Sequence, residues 1–111
     1  MRRIAASYAG VLADYDHGEG WLVIQWPDAL YGHDELKIDF DGFCSRRMPI
    51  YSGSGPLDYV KLTRDRLHIH FHPTLAEKLK LDEEIEFTFN LADDSFEELR
   101  CWVDFWKSDD D

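Results

Sequence analysis

The apolar residues in the C-terminal half of the chain change their spacing three times, and this feature constrains the fold most. Over residues 67–72, apolar residues alternate with three histidines, as in a strand with one buried face. Pro73 ends that alternation, because it has no N–H for a sheet and suits the first turn of a short helix. A second alternation follows over 84–91, and Asp94 with Glu97 three residues later is typical of a helix start. The order strand, short helix, strand, long helix predicts an α+β fold.

The rest of the chain adds further strands. Besides 67–72 and 84–91, the segments with the composition or alternation of strands are 4–15, 21–26, 35–40 and 57–62. Pro27 and Asp28 should end the second of these four. Glycines and prolines interrupt residues 42–56, which we expect to form a long loop with an edge strand at 48–51.

These elements predict a mainly antiparallel sheet, with the short helix between two strands and the C-terminal helix packed on the sheet. At 111 residues the chain is long enough to bury a core without metal or disulfide support. We expect a single domain over residues 1–107 and a short acidic tail over 108–111.

The formal net charge of −11 is unevenly distributed along the chain. Residues 1–73 carry 10 acidic and 8 basic side chains, whereas residues 74–111 carry 13 acidic and 4 basic ones. Such a field repels nucleic acid and anionic membranes and attracts cationic partners. We therefore expect no nucleic-acid partner. We also expect no association with a membrane, since no run of the sequence approaches the roughly 18 apolar residues of a membrane span.

The two cysteines, Cys44 and Cys101, have no metal-ligand spacing and make no disulfide framework. Arg2 and Arg3 precede an apolar segment that resembles a signal peptide, but the segment is short and diluted by polar residues. The prediction is a cytoplasmic protein with reduced thiols.

The three alternating histidines are the strongest candidates for metal binding. His68, His70 and His72 would share one face of a strand, with the outer two about 13 Å apart, so one ion cannot readily gather all three. His68 and His70 could bind a metal ion together with Glu86 from a neighbouring strand. The alternative is a solvent-facing strand surface on which the histidines lie near Glu84 or Glu86. We favour the second interpretation and predict no cofactor, because the sequence supplies no defined further ligand.

The sequence contains no nucleophile elbow, no Walker loop and no H-E-x-x-H motif. Cys44 precedes Arg46 and Arg47, which would favour a thiolate, but no nearby feature provides a catalytic base. We predict that the protein is not an enzyme.

The C-terminal helix has two distinct sides. At 100° per residue, Leu99, Val103 and Trp106 form its core side. The other side and its border carry the predicted partner-binding residues: Asp94, Glu97, Glu98, Asp104 and Phe105. For any one of the four carboxylates, simple exposure to solvent is the alternative explanation of its position on this side of the helix. An aromatic ring bordered by carboxylates is typical of an interface anchor, unless the 42–56 loop covers it.

The features from residue 50 to residue 106 occur in a recognisable order. A glycine-containing bend at 51–55 precedes the strands LDYVKL and LHIHF, a short leucine-bearing helix, the strand EIEFTF and a helix containing FEEL. This order resembles the immunity protein 10 family, small bacterial proteins encoded beside polymorphic toxins and thought to neutralise them. The resemblance implies a toxin-binding role and assigns no site residue.

We therefore predict a bacterial immunity protein that binds and neutralises a cognate toxin stoichiometrically. Its acidic surface would steer it onto a basic toxin surface, as on a nuclease that binds phosphates, and the aromatic anchor would hold the complex. The alternatives are the metal-binding protein or metal-dependent enzyme described above and a non-catalytic adaptor subunit. The oligomeric state and the chemistry of the toxin stay open.

Overall fold

Two β-sheets and two helices make up the part of the chain that the computed structural model describes: residues 1–14, 19–28, 32–39, 43–46, 51–54 and 57–109, without the side chains of residues 13, 14, 19, 43, 51, 54, 58 and 105–109. In chain order the elements are β1 (Arg2–Ala5), β2 (Tyr8–Asp14), β3 (Glu19–Asp28), β4 (Gly32–Asp39), β5 (Phe43–Arg46), β6 (Tyr51–Ser54), β7 (Leu57–Thr63), β8 (Arg66–Phe71), α1 (Pro73–Leu79), β9 (Glu84–Thr88) and α2 (Asp93–Asp109). The predicted α+β fold, mainly antiparallel with a short helix between two strands, is confirmed.

The four-stranded sheet has the strand order β1–β9–β8–β7. β1 runs parallel to β9, and the other neighbouring strands are antiparallel. Leu67, Ile69 and Phe71 of β8 are fully buried on the inner side, while His68 and His70 are half-buried on the outer side. The orientation that the alternating sequence predicts for this strand is therefore confirmed.

The five-stranded sheet has the strand order β2–β3–β4–β5–β6 and is antiparallel throughout. Leu22 and Ile24 of β3, with Leu36 and Ile38 of β4, are fully buried. β3 extends two residues beyond the predicted strand 21–26 and stops at Asp28, so Pro27 and Asp28 are its last two residues. A proline this close to a strand end removes only one N–H from the ladder.

The chain passes from one sheet to the other at Ala6 and Ser7. The N–H of Ala6 donates to Thr88 of the four-stranded sheet, and the N–H of Ser7 donates to Gln25 of the five-stranded sheet, both at 2.8 Å. The predicted single strand over 4–15 is thus two strands, β1 and β2. The break also explains why Ile4 and Ala9, an odd number of positions apart, are both buried.

Residues 42–56 contain two paired strands, where the sequence predicts a loop. β5 and β6 form an antiparallel pair at one edge of the five-stranded sheet. Residues 48–50 of the predicted edge strand lie outside the described residues. Gly53, one of the glycines that interrupt this segment, has a packing role. A Cβ at this position would lie 2.9 Å from Cδ of Lys78, so the lack of a side chain on Gly53 allows α1 to approach β6 closely.

The helices pack against the sides of the two sheets. α2 packs mainly against β2, with further contacts to β3 and β7, while α1 packs against β6 and β5. Leu99, Trp102 and Val103 of α2 are buried and belong to the same apolar cluster as the inner residues of both sheets. The predicted packing of the C-terminal helix on a sheet is confirmed.

α2 runs to Asp109, and residues 110 and 111 of the predicted acidic tail lie outside the described residues. Neither helix in the described ranges has the length and apolar character needed to cross a membrane.

A buried ion pair joins β4, β5 and the end of α1. Nε of Arg46 lies 2.8 Å from Oδ2 of Asp34, whose residue is 0% exposed. Nη1 of Arg46 also donates to the carbonyl oxygens of Leu79, at 3.3 Å, and Lys80, at 2.7 Å. Arg46 therefore pairs with a carboxylate on the core side of the sheet and caps the C-terminus of α1.

Candidate functional site

The start of α2 is held in place by Arg64 from the turn between β7 and β8. Its Nη2 donates to the carbonyl oxygen of Leu91 at 2.8 Å and to Oδ1 of Asp93 at 2.9 Å. Its guanidinium lies 4.8 Å from the centroid of the Phe96 ring. The helix begins at Asp93, so Asp94 lies in the first turn and is not the N-cap that the sequence predicts. Carboxylates in the first turn favour the helix, because the dipole is positive there.

Four carboxylates of α2, those of Asp94, Glu97, Glu98 and Asp104, form what we name the acidic helix face. All four residues are exposed. Arg100 lies among them, with Nη2 2.7 Å from Oε2 of Glu97 and Nη1 3.0 Å from Oδ2 of Asp104. The hydrogen bond from Arg100 lowers the pKa of Glu97 below its usual value, so this carboxylate keeps its charge in more acidic solution.

Phe105, the predicted aromatic anchor, belongs to α2 by its backbone, but its side chain lies outside the described residues. The same holds for Trp106, which the helical period places on the core side. Both assignments stay predictions. The predicted core residues Leu99 and Val103 are buried, and so is Trp102 of the same helix.

The outer face of the four-stranded sheet carries a cluster of aromatic and charged side chains around His68. Nε2 of His68 lies 2.7 Å from Oε1 of Glu84, which makes this nitrogen the donor. The Tyr59 hydroxyl is 3.3 Å from Nδ1 and 3.2 Å from Nε2 of the same ring. Because the lone pairs of the two nitrogens diverge, a hydroxyl equidistant from both lies over the ring and not in line with either. The rings of Tyr59 and His68 meet edge-on, with centroids 5.0 Å apart.

Glu86, the predicted third ligand of a metal site, contacts two arginines. Its Oε1 lies 3.4 Å from Nε of Arg3 and 3.4 Å from Nη1 of Arg66, and the residue is 8% exposed. Among the described residues, no group of three or more His, Cys, Asp or Glu side chains could hold a metal ion. The metal alternative built on His68, His70 and Glu86 therefore has no assembled ligand set in this part of the chain.

His72 does not share the face of the other two histidines, because β8 ends at Phe71. It is the N-cap of α1, and its Nδ1 accepts a hydrogen bond from the N–H of Thr74 at 3.2 Å. The expectation that three histidines line one strand is wrong for this reason. Pro73 starts the helix as predicted.

The two cysteines differ in environment. Cys44 is fully buried in β5, and burial together with the nearby Asp39 carboxylate raises its pKa to about 12. Its sulfur is therefore a neutral thiol near pH 7, and Arg46 pairs with Asp34 instead of favouring a thiolate. Cys101 is exposed on α2.

Sequence reasoning missed Tyr59. The hairpin register could have identified it. The turn at Arg64 and Asp65 pairs Thr63 with Arg66, and this register puts Tyr59 opposite His70. Tyr59 is 40% exposed, which makes it one of few large, exposed apolar side chains among the described residues.

The chain matches the family model for Immunity protein 10 over residues 5–97. This range covers most of the chain, from β2 to β9 and the start of α2. No curated protein and no solved structure matches the chain.

Proposed function

This chain belongs to the Immunity protein 10 family, and we propose that it neutralises a cognate protein toxin by occupying the toxin's active surface in a one-to-one complex. Family membership implies an immunity protein directed against a toxin. The proposal adds the mechanism: the acidic helix face binds a basic surface on the toxin. A toxin that acts on phosphate-bearing substrates would present such a surface.

The observation that carries the proposal is the exposure of all four carboxylates of the acidic helix face while the opposite side of α2 is buried. Arg100 neutralises part of this charge through Glu97 and Asp104. Among the described residues, no arginine pairs with the carboxylate of Asp94 or Glu98, so these two are the best placed to attract a cationic partner. Charges of this kind raise the rate of association more than they raise affinity.

Phe105 is the proposed aromatic anchor of the same surface. A ring of this size buries a large area at little conformational cost, so it stabilises the complex after the partners have met. Unlike the carboxylates, it should act on the dissociation rate.

Replacing Asp94 and Glu98 together with lysine should slow association with the toxin about tenfold at low salt, because it reverses the steering charge. The cognate toxin is found by co-purification with the product of the adjacent gene. Stopped-flow or surface-binding kinetics at two salt concentrations measure the effect. It should shrink in 1 M salt, where charges are screened beyond about 3 Å.

The matched control replaces Asp65 and Glu77 with lysine, since both are exposed and lie outside α2. The two double variants have the same net charge. If they slow association equally, net charge alone sets the rate and the acidic helix face is not the contact surface. Phe105→Ala in the same assay should raise the dissociation rate and leave association nearly unchanged.

A further inference from the structure

We propose that Tyr59 and Glu84, on the outer face of the four-stranded sheet, form a binding site for one guanidinium or ammonium group of the toxin. This inference rests on the proposed function and adds a second contact region to it, with a defined ligand chemistry. The sequence pattern assigns no role to Tyr59, and it places Glu84 only near the histidines.

The two side chains are held close together by the sheet. Tyr59 of β7 lies opposite His70 of β8, and His70 lies opposite Glu84 of β9, so the three form one row across the strands. The Tyr59 hydroxyl and Oε1 of Glu84 contact the same atom, Nε2 of His68, at 3.2 Å and 2.7 Å. The hydroxyl and the carboxylate oxygen are therefore within about 6 Å of each other.

The Tyr59 ring is fixed and still accessible. It meets the His68 ring at 80° and the His70 ring at 78°, with centroid distances of 5.0 Å and 5.5 Å. These edge-on contacts hold the ring in one orientation, while 40% of the residue stays exposed. A cation is attracted to the face of such a ring within about 6 Å of its centroid. Little conformational entropy is lost on binding, because the ring is already ordered.

Of the two glutamates on this face, Glu84 is the one that a partner can reach. Arg3 and Arg66 both contact Glu86, whose side chain is 11% exposed, whereas the Glu84 side chain is 40% exposed. Desolvation is the main cause, and the nearby Glu84 charge the second cause, of a pKa of Tyr59 that is raised above its ordinary value.

Acidic side chains outnumber basic ones in the cleft beside Glu84. The exposed Asp82 and Glu83 precede Glu84 and line this open cleft with it, together with Met1 and Arg2. The basic side chains of Arg3, Lys61 and Arg66 lie one or two rows away, towards the opposite end of the strands. A partner's arginine or lysine is therefore attracted more strongly to the Tyr59–Glu84 end than to the other end.

The first test needs no toxin. Nuclear magnetic resonance is used to follow the ring signals of Tyr59 and His68 while acetyl-Gly-Arg-Gly-amide is added. The control peptide carries citrulline, which has the shape of arginine without its charge. The arginine peptide should produce saturable shifts, with at least tenfold weaker binding for the citrulline peptide. Glu84→Gln should remove most of the arginine effect, and the matched variant Glu77→Gln should leave it unchanged.

Equal shifts with both peptides, no shifts at all, or shifts that survive Glu84→Gln would each overturn the cation site. The second test uses the cognate toxin's effector domain. Tyr59→Leu and Glu84→Gln should each raise the dissociation rate about tenfold, and the double variant should lose less than the product of the two effects. Wild-type rates in both variants would overturn the site's role in the complex. If the wild-type protein binds no toxin, the proposed function fails, while the peptide experiment still decides whether the site binds a cation.

Discussion

Replacing Arg46 with alanine is expected to lower the free energy of unfolding by about 3–5 kcal/mol, the range typical for breaking a buried ion pair. The Asp34 residue is 0% exposed, and its carboxylate lies 2.8 Å from the guanidinium. The substitution also removes the donor to the carbonyl oxygens of Leu79 and Lys80 at the end of α1. Urea denaturation followed by circular dichroism measures the loss.

Arg100→Ala is the matched control, because Arg100 also pairs with carboxylates but on the exposed surface of α2. Exposed ion pairs contribute little to stability, so this variant should lose far less than the Arg46 variant. Similar losses for the two arginine variants would contradict the structural role assigned to Arg46.

Phe87→Ala should destabilise the fold by about 3–5 kcal/mol, as expected when a large core side chain is truncated and a cavity remains. Phe87 is fully buried in β9, and its ring lies 5.4 Å from the ring of Trp26 in β3. The side chain therefore joins the two sheets. Chemical denaturation measures the change, with a reduced cooperativity if the two sheets separate.

Leu12→Ala provides the comparison for Phe87→Ala, since Leu12 is apolar but 61% exposed on β2. It should change stability by no more than about 0.5 kcal/mol. A large loss at Leu12, or a small one at Phe87, would show that the inner and outer sides of the sheets are assigned wrongly.

The elements with an unbroken hydrophobic period could be predicted from the sequence. β8, β9 and both helices follow from alternation, from Pro73 and from the apolar side of α2, because each signal is local. The passage between sheets at Ala6 and Ser7 could not be predicted, since small residues give no clear alternation. The β5–β6 pair was missed because Gly53, which allows α1 to pack closely, is also a strong sign of a loop.

Of the two candidate surfaces, only the acidic helix face could be predicted from the sequence. The exposed carboxylates of α2 follow from its helical period alone. The partners of Glu86 depend on strand order, since Arg3 comes from β1, which is distant in sequence and pairs with β9. The Tyr59 cluster likewise requires three strands in register. Contacts between strands that are distant in sequence need the strand order, which a local pattern does not contain.

Titration of the cognate toxin's activity with this protein decides most directly whether neutralisation occurs by occupation of the toxin. With the toxin well above the dissociation constant, activity should fall linearly and reach zero at one equivalent of protein. The variant with lysine at positions 94 and 98 binds the toxin more weakly. When the toxin concentration is lowered towards the dissociation constant of this variant, more than one equivalent of it should be needed to abolish toxin activity. Complete protection far below one equivalent would indicate turnover and contradict one-to-one occlusion, as would full toxin activity in the presence of excess protein.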